Sequence, residues 1–394
     1  MIKQRTPIEL DSRRAWGAAG ACAAANGTAF GIAYTFGNFV DAMADEFDAT
    51  RGPTAVIFGL TLLFFFGGGA VAGPLGDRFG ALPMFVIGAT VFVTGLAVTS
   101  TVEHLWLGYL TYGIGVGVGA GMFIAPLSAQ VGRLFVQRRA VALATLAAGN
   151  GVGTLVMSPL SAELIERNGW RSAYLWLAVI AGVVFVAAVP LIGTRGRVPT
   201  PVPEDASVKL FASLEYRSLF FSSLLMSIGL YVAFAFVVPF AEDAGITSQA
   251  AARLIAVIGM TSIVGRLGLS TLTARFGPGS VFLAALALQP IAYVIWLLSD
   301  GNYWMLVAFG GVLGVAYGGF VAVGPELMIV THGTAGLGKR MGVLYAAFGI
   351  GGLIGPPLAG WLSDNSSSTA PVIILTIAIV SSAVVVALPA SRAA

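Results

Sequence analysis

Apolar runs of about twenty residues, the length a helix needs to cross a bilayer, recur about twelve times along the chain between short polar breaks. They fall at roughly 15–40, 53–74, 81–100, 104–129, 140–163 and 172–193, then at 217–240, 250–274, 280–298, 303–330, 340–362 and 370–389. Inside a bilayer no water satisfies a free backbone N–H or C=O, so each run is predicted to be an α-helix. Composition points the same way: 57% of the residues are hydrophobic and 10% are charged, against about 25% charged in an average soluble domain. The expected fold is an all-α membrane protein of twelve transmembrane helices.

The longest polar stretch runs from Gly193 to Glu215 and holds Thr194-Arg-Gly-Arg-Val-Pro-Thr-Pro-Val-Pro-Glu-Asp205, a proline-rich sequence suited to a semi-extended connection. It divides the chain into a six-helix half over 1–193, a linker over 194–216 and a second six-helix half over 217–394. Sixteen of the 21 basic residues, among them Lys3, Arg138, Arg197, Lys339 and Arg392, gather on the side of the termini and linker; Arg51, Arg167, Arg171 and Arg253 lie on the other. Basic loops stay in the cytoplasm, so both termini are expected there, with the protein in the plasma or inner membrane of a cell. The pI of about 9.1 is then a topological signal and not a sign of nucleic-acid binding. The polar N-terminus has no short apolar core ending in a small-residue cleavage site, so the first helix is expected to do the targeting. The single cysteine, Cys22, excludes an intrachain disulfide.

The two halves repeat one another. Gly73-Pro-Leu-Gly-Asp-Arg-Phe-Gly80 after the second run has a counterpart, Ser270-Thr-Leu-Thr-Ala-Arg-Phe-Gly277, after the eighth. Arg139 to Gly149 likewise matches Arg340 to Gly349. In the first pair Arg266 corresponds to Gly69, so only one half carries a charge at that depth. Arg266 lies about 24 Å along the eighth helix at ~1.5 Å per residue, near or just past the bilayer centre. A charge there persists only against a protein interior, a partner or a water-filled path. A planar guanidinium that stays protonated suits a carboxylate or another flat anion. The alternative is a structural ion pair or a side chain reaching toward the helix end.

Gly-x-x-x-Asp-Arg-x-Gly after a second helix, twelve helices and a basic central linker together resemble the major facilitator superfamily. Within it the chain resembles the monocarboxylate transporters and the related oxalate/formate exchangers. The matching stretches are Phe30-Gly-Ile-Ala-Tyr-Thr-Phe-Gly-Asn-Phe39, Leu134 to Ala144, Ala148-Gly-Asn-Gly-Val-Gly153, Gly169-Trp-Arg-Ser-Ala-Tyr174, Gly265-Arg266 and Gly355-Pro-Pro-Leu-Ala-Gly-Trp-Leu362. The resemblance implies that Arg266 binds the substrate carboxylate. It also implies that Asp77 and Arg78 act in gating, through contacts between the halves that break when the protein opens inward. Two positions depart from the pattern: many animal members have an aspartate where this chain has Ser262, and a lysine where it has Asn38. Proton coupling through those two groups is therefore not inherited.

Around Arg266 the sequence offers further binding candidates. Ser262 sits at i−4 on the same helix face, positioned for a carboxylate or for its own backbone. Tyr317, amid small residues in the tenth run, faces a cavity or packs. Tyr34 and Asn38 are spaced i,i+4 on the first helix, and Asn150 and Tyr345 fall in the fifth and eleventh. Glu326, the one carboxylate deep in a second-half helix, is a proton-coupling candidate because desolvation raises a carboxyl pKa, or else a structural partner of a basic group. Asp41 is a second such candidate, or a solvated surface acid. His104 and His332 have no ligand-spaced neighbour, so no metal and no cofactor is expected.

No dinucleotide motif and no nucleophile–base pair stands out, which argues against an enzyme. The glycines at 113, 117 and 121 and at 115 and 119 instead suit close helix approach. The expected function is secondary active transport of a small monocarboxylate such as lactate or pyruvate by alternating access, with proton symport as the coupling. The alternatives are organic-anion exchange, or export of amphiphilic compounds on the same fold. Expected partners are the carboxylate, a proton or counter-anion, and the lipid bilayer.

Overall fold

The computed structural model describes residues 9–192, 210–333, 337–366 and 368–393; most of the expected linker, 193–209, lies outside the described residues. The first half holds α1 (Arg13–Tyr34), α2 (Arg51–Phe79), α3 (Ala81–Thr99) and α4 (Leu105–Leu134). A continuous stretch Arg139–Ile192 then breaks at Gly169, whose φ of 76° no helix accommodates, giving α5 before it and α6 after it. The second half holds α7 (Leu214–Asp243), α8 (Ser248–Phe276), α9 (Pro278–Leu297), α10 (Tyr303–His332), α11 (Leu337–Asp364) and α12 (Ala370–Arg392). The fold is all-α, with twelve helices of membrane-crossing length in two sets of six.

Among the described residues ten stretches are long and apolar enough to cross a membrane, and one of them, Val141–Ile192, holds both α5 and α6. The helix outside that set is α1. Its Ala- and Gly-rich sequence is less hydropathic because it runs through the protein interior, buried at nearly every position from Ala21 to Tyr34. Its counterpart α7 is also almost wholly buried, and these two helices form the central walls between the halves. The repeat seen in the sequence is a repeat of structure. Gly80 ends α2 at φ 94° and Gly277 ends α8 at φ 78°, and each amide donates back into its helix, to Gly76 O at 2.8 Å and Thr273 O at 2.9 Å. A side chain at either position would meet the left-handed strain that glycine avoids.

Glycines also set the helix spacing. On α4, Gly117 and Gly121 face the α2 backbone at Thr61 and Phe64, whereas Gly119 faces α3 at Phe92. The winding of α4 loosens to a π-helix over Tyr109–Val116, where it meets α2 and α3. On α5, a Cβ at Gly153 would lie closer to Gly27 O of α1 than any real contact allows.

We call the end of the bundle that carries the start of α1 and the end of α12 the near face, and its opposite the far face. The halves are pinned together at the far face. Arg51, at the start of α2, donates Nε and Nη2 to Asp41 at 2.7 Å each, and Nη1 and Nη2 to Asp243 of α7 at 2.6 and 3.0 Å. The amides of Arg51 and Gly52 donate to the Asp364 carboxylate at the end of α11, at 3.1 and 2.9 Å. Gln249 of α8 donates to Glu163 of α5 at 2.8 Å. Below these polar contacts, α2 packs backbone-close on α11 at Gly52/Gly360 and Gly59/Gly352, as α5 does on α8 at Gly151/Gly259.

Candidate functional site

A void lies midway between the halves, walled by Phe30 and Tyr34 of α1, Asn150 and Thr154 of α5, Phe234 of α7, Ser262 and Arg266 of α8, and Tyr317 of α10. It is narrow, wide enough for about one water-sized sphere. Backbone proximity explains how charge and amide come together here. Gly151 and Gly259 let α5 and α8 touch; Asn150 directly precedes the first, and Ser262 and Arg266 lie one and two turns after the second. Gly265 and Gly318 do the same for α8 and α10, bringing Tyr317 beside Arg266.

Arg266 is 7% exposed. Its Nη1 donates to Ala147 O of α5, so the guanidinium reaches across from one half to the other. Its Cζ lies 5.4 Å from the centroid of the Tyr317 ring, within cation–π reach. Its Nε is buried and has no hydrogen-bond partner, and neither has Asn150 Oδ1. An unpaired buried polar atom costs roughly 1–3 kcal/mol, so these two mark where the wall is chemically incomplete. The remaining surface is aromatic: Tyr34 packs edge-on against Phe234 at 4.6 Å and tilted against Phe30 at 5.0 Å, and its hydroxyl donates to Tyr231 Oη at 3.4 Å. A donor-only cation within an apolar, aromatic lining can orient one small anion and shelter a short organic tail.

The structure brings five of the seven binding candidates together: Arg266, Ser262, Tyr317, Tyr34 and Asn150. The Ser262 hydroxyl donates to Gly259 O at 2.7 Å, which engages its proton with its own helix. Asn38 is not in the void. The helix ends at Tyr34, a 3₁₀ turn follows over Phe36–Asn38, and Nδ2 of Asn38 is spent on Ser158 O at 2.9 Å and Ser161 Oγ at 2.8 Å, toward the far face. Tyr345 is not among the lining residues either. It is 41% exposed, one turn before Phe348 on α11, and lies within electrostatic range of Arg266 and Tyr317.

The two proton-coupling candidates sit elsewhere. Asp41 is held bidentate by Arg51 at the far face and does not face the void. Glu326 is exposed and nine residues beyond Tyr317; at ~100° per residue that is half a turn away, on the opposite side of α10. Among the gating candidates, Arg78 is exposed with its guanidinium 5.3 Å over the neighbouring Phe79 ring, and the Asp77 side chain lies outside the described residues. Among the described residues no group of three His, Cys, Asp or Glu side chains could hold a metal ion.

Sequence reasoning missed Phe30, Thr154 and Phe234 as wall residues, and Asn26. Asn26 shares the Phe30–Tyr34 face of α1 one turn nearer the near face and buries an unpaired Oδ1. Its spacing from Tyr34, two turns on one face, was the available signal.

A family model described as the Major Facilitator Superfamily matches residues 20–278 and 219–394. Monocarboxylate transporter 12 of Mus musculus is 28% identical over 381 residues, covering 86% of this chain and 76% of that protein. Monocarboxylate transporter 3 of Rattus norvegicus is 29% identical over 370 residues, covering 89% and 74%. A solved bacterial homologue of the human lysosomal transporter Spinster, inward-facing and occupied, superimposes with a TM-score of 0.74 at 15% identity, covering 95% of this chain and 96% of that one; at that identity the likeness is one of fold. The family model, the twelve helices and the void between the halves agree, and the chain belongs to the Major Facilitator Superfamily.

Proposed function

We propose that this protein is a secondary transporter, not an enzyme, that moves small monocarboxylates of the lactate and pyruvate kind across a cell membrane by alternating access. The observation that carries the reading is Arg266: a buried guanidinium with a free Nε, facing a void built from both halves. It holds the carboxylate, while Phe30, Tyr34, Phe234 and Tyr317 receive the short tail. Relatives named monocarboxylate transporters support the substrate class. A void this narrow must widen to admit an acid. The far-face contacts of Arg51, Gln249 and Asp364 support entry and exit toward the near face in this arrangement. Charge asymmetry supports a cytoplasmic near face, with both termini on it, and Arg78 there acting with Asp77 to close that end in the opposite state.

Coupling to a proton is the first reading. Anion exchange of the oxalate/formate type is the second, and one observation favours it: no carboxylate is among the residues lining the void. Uptake of labelled lactate, pyruvate, formate, oxalate and acetate into proteoliposomes, with and without an inward proton gradient, separates them. Accumulation driven by the gradient supports symport, and uptake that needs only preloaded anion supports exchange. If none of the acids moves, the monocarboxylate reading fails.

A further inference from the structure

Two residues lining the void each carry a buried polar atom that the protein leaves unpaired, and the two are of opposite character: Arg266 Nε, which can only donate, and Asn150 Oδ1, which can only accept. They come from different halves and are held near one another by the backbone. Arg266 Nη1 donates to Ala147 O, and Ala147 stands one turn before Asn150 on α5, so the guanidinium docks on the turn of α5 next to the one that carries the amide. Thr154, one turn further, cannot supply the missing donor. Its hydroxyl already donates to Gly151 O at 3.0 Å. Ser262 is likewise committed to Gly259 O, and Tyr34 to Tyr231.

A ligand that completes this wall must offer an acceptor to Nε and, a few ångströms away, a donor to Oδ1. A carboxylate supplies the first and cannot supply the second. A hydroxyl on the adjoining carbon supplies it. An unsubstituted acid leaves Oδ1 unpaired, whereas a 2-oxo acid or a dicarboxylate sets an acceptor against an acceptor. We propose that Asn150 reads the substituent beside the carboxylate, so that the site selects short 2-hydroxy monocarboxylates over their unsubstituted and 2-oxo counterparts. This rests on the monocarboxylate reading above and adds to it a specificity residue that Arg266 alone does not provide.

The test is calorimetric binding of three acids of equal carbon number to the purified full-length protein: 2-hydroxypropanoate, propanoate and 2-oxopropanoate. One net hydrogen bond corresponds to roughly two- to tenfold in affinity, so the wild type is expected to bind the hydroxy acid tighter than either other acid by about that factor. Asn150→Ala is expected to bring the hydroxy acid to the level of propanoate and to leave propanoate within about twofold. Equal wild-type binding of the three acids, tighter binding of the 2-oxo acid, or a preference that survives in Asn150→Ala overturns the proposal. Equal or reversed wild-type binding overturns the proposal even if Asn150→Ala fails to fold, and Asn150→Leu, which keeps the side-chain volume without the amide, is the second variant, with the same expected loss of preference. Arg266→Ala separates the two levels: if all three acids bind, each needs Arg266 and Asn150→Ala changes nothing, the specificity proposal alone falls. If no acid binds the wild type, the monocarboxylate reading falls and takes this proposal with it.

Discussion

Gly318 stands where α10 crosses α8, directly after Tyr317. A Cβ built on it lies 2.0 Å from Ser262 O, 2.8 Å from the carbonyl carbon and 2.9 Å from Cα, all backbone atoms that no rotamer change can move. Real Cβ contacts stay above 3.0 Å, so in Gly318→Ala the two helices must part by about 1 Å. Tyr317 retreats with α10, and its ring moves from 5.4 Å to about 6.4 Å from the Arg266 guanidinium, past the roughly 6 Å limit of a cation–π contact. The expected cost is about 1–3 kcal/mol of stability for the forced separation. Loss of the ring contact adds a two- to fivefold weaker acid affinity, from about 0.5–1 kcal/mol. Gly311→Ala, two turns earlier on the same helix with nothing within 4 Å of the new methyl, is the matched control. It is expected to hold or raise stability, because alanine is the better helix former by about 1 kcal/mol. Cys22 is the only cysteine and is fully buried, so a thiol-reactive fluorophore reports unfolding directly. If Gly318→Ala melts and binds acid like Gly311→Ala, the close α8–α10 packing does not position Arg266 and the reasoning is wrong.

Arg51→Ala removes the guanidinium that joins Asp41 to Asp243 across the halves. These groups are partly exposed, so each pair contributes only about 0.2–1 kcal/mol. That is enough to raise the far-face-open population severalfold, read as a longer spin-label distance between Asp48→Cys and Gly245→Cys on a Cys22→Ser background; an unchanged distance would refute the clamp. Asp11 accepts from the amides of Val136, Gln137 and Arg138 at 3.2, 3.3 and 3.3 Å, tying the N-terminus to the start of α5. Its partial desolvation, which raises the pKa, is outweighed by those three bonds and by the Arg138 charge, so the carboxyl sits below its ordinary value. A depressed pKa gives stability that is present above the unfolded value of about 3.9 and fades as the pH falls through the folded one. Asp11→Asn should therefore melt lower than wild type at pH 7 and converge with it near pH 3, and parallel melting curves across that range would contradict this.

Much of this architecture was legible in the sequence because the bilayer forces each long apolar run to be a helix. The Asp-Arg-Phe-Gly and Ala-Arg-Phe-Gly repeats marked where α2 and α8 must end, and both end on a positive-φ glycine. The candidates that went astray did so for identifiable reasons. Pairing Asn38 with Tyr34 assumed an unbroken helix, but Thr35 Oγ1 folds back on Ile32 O and the chain turns, sending Asn38 toward Ser158. Glu326 drew notice as a lone intramembrane acid, although its half-turn offset from Tyr317 was countable without coordinates. Asp41 stood as a second proton candidate or a solvated surface acid, and its pairing was hidden because Arg51 follows a break in the helix and the second carboxylate on that arginine, Asp243, is far away in sequence. Phe30 and Phe234 could not be told from packing residues, since an apolar wall and an apolar core share one composition.

The central claim is that Arg266 holds a carboxylate, and the most direct measurement is uptake of labelled lactate and pyruvate by proteoliposomes carrying wild type, Arg266→Lys or Arg266→Ala, with Cys22 burial used to verify folding. The account predicts loss of uptake in Arg266→Ala and severe impairment in Arg266→Lys, whose point charge cannot reproduce the planar fork that reaches both Ala147 O and an anion at Nε. Uptake by a folded Arg266→Ala protein at the wild-type rate would contradict it and leave export of uncharged amphiphiles as the better reading of this void.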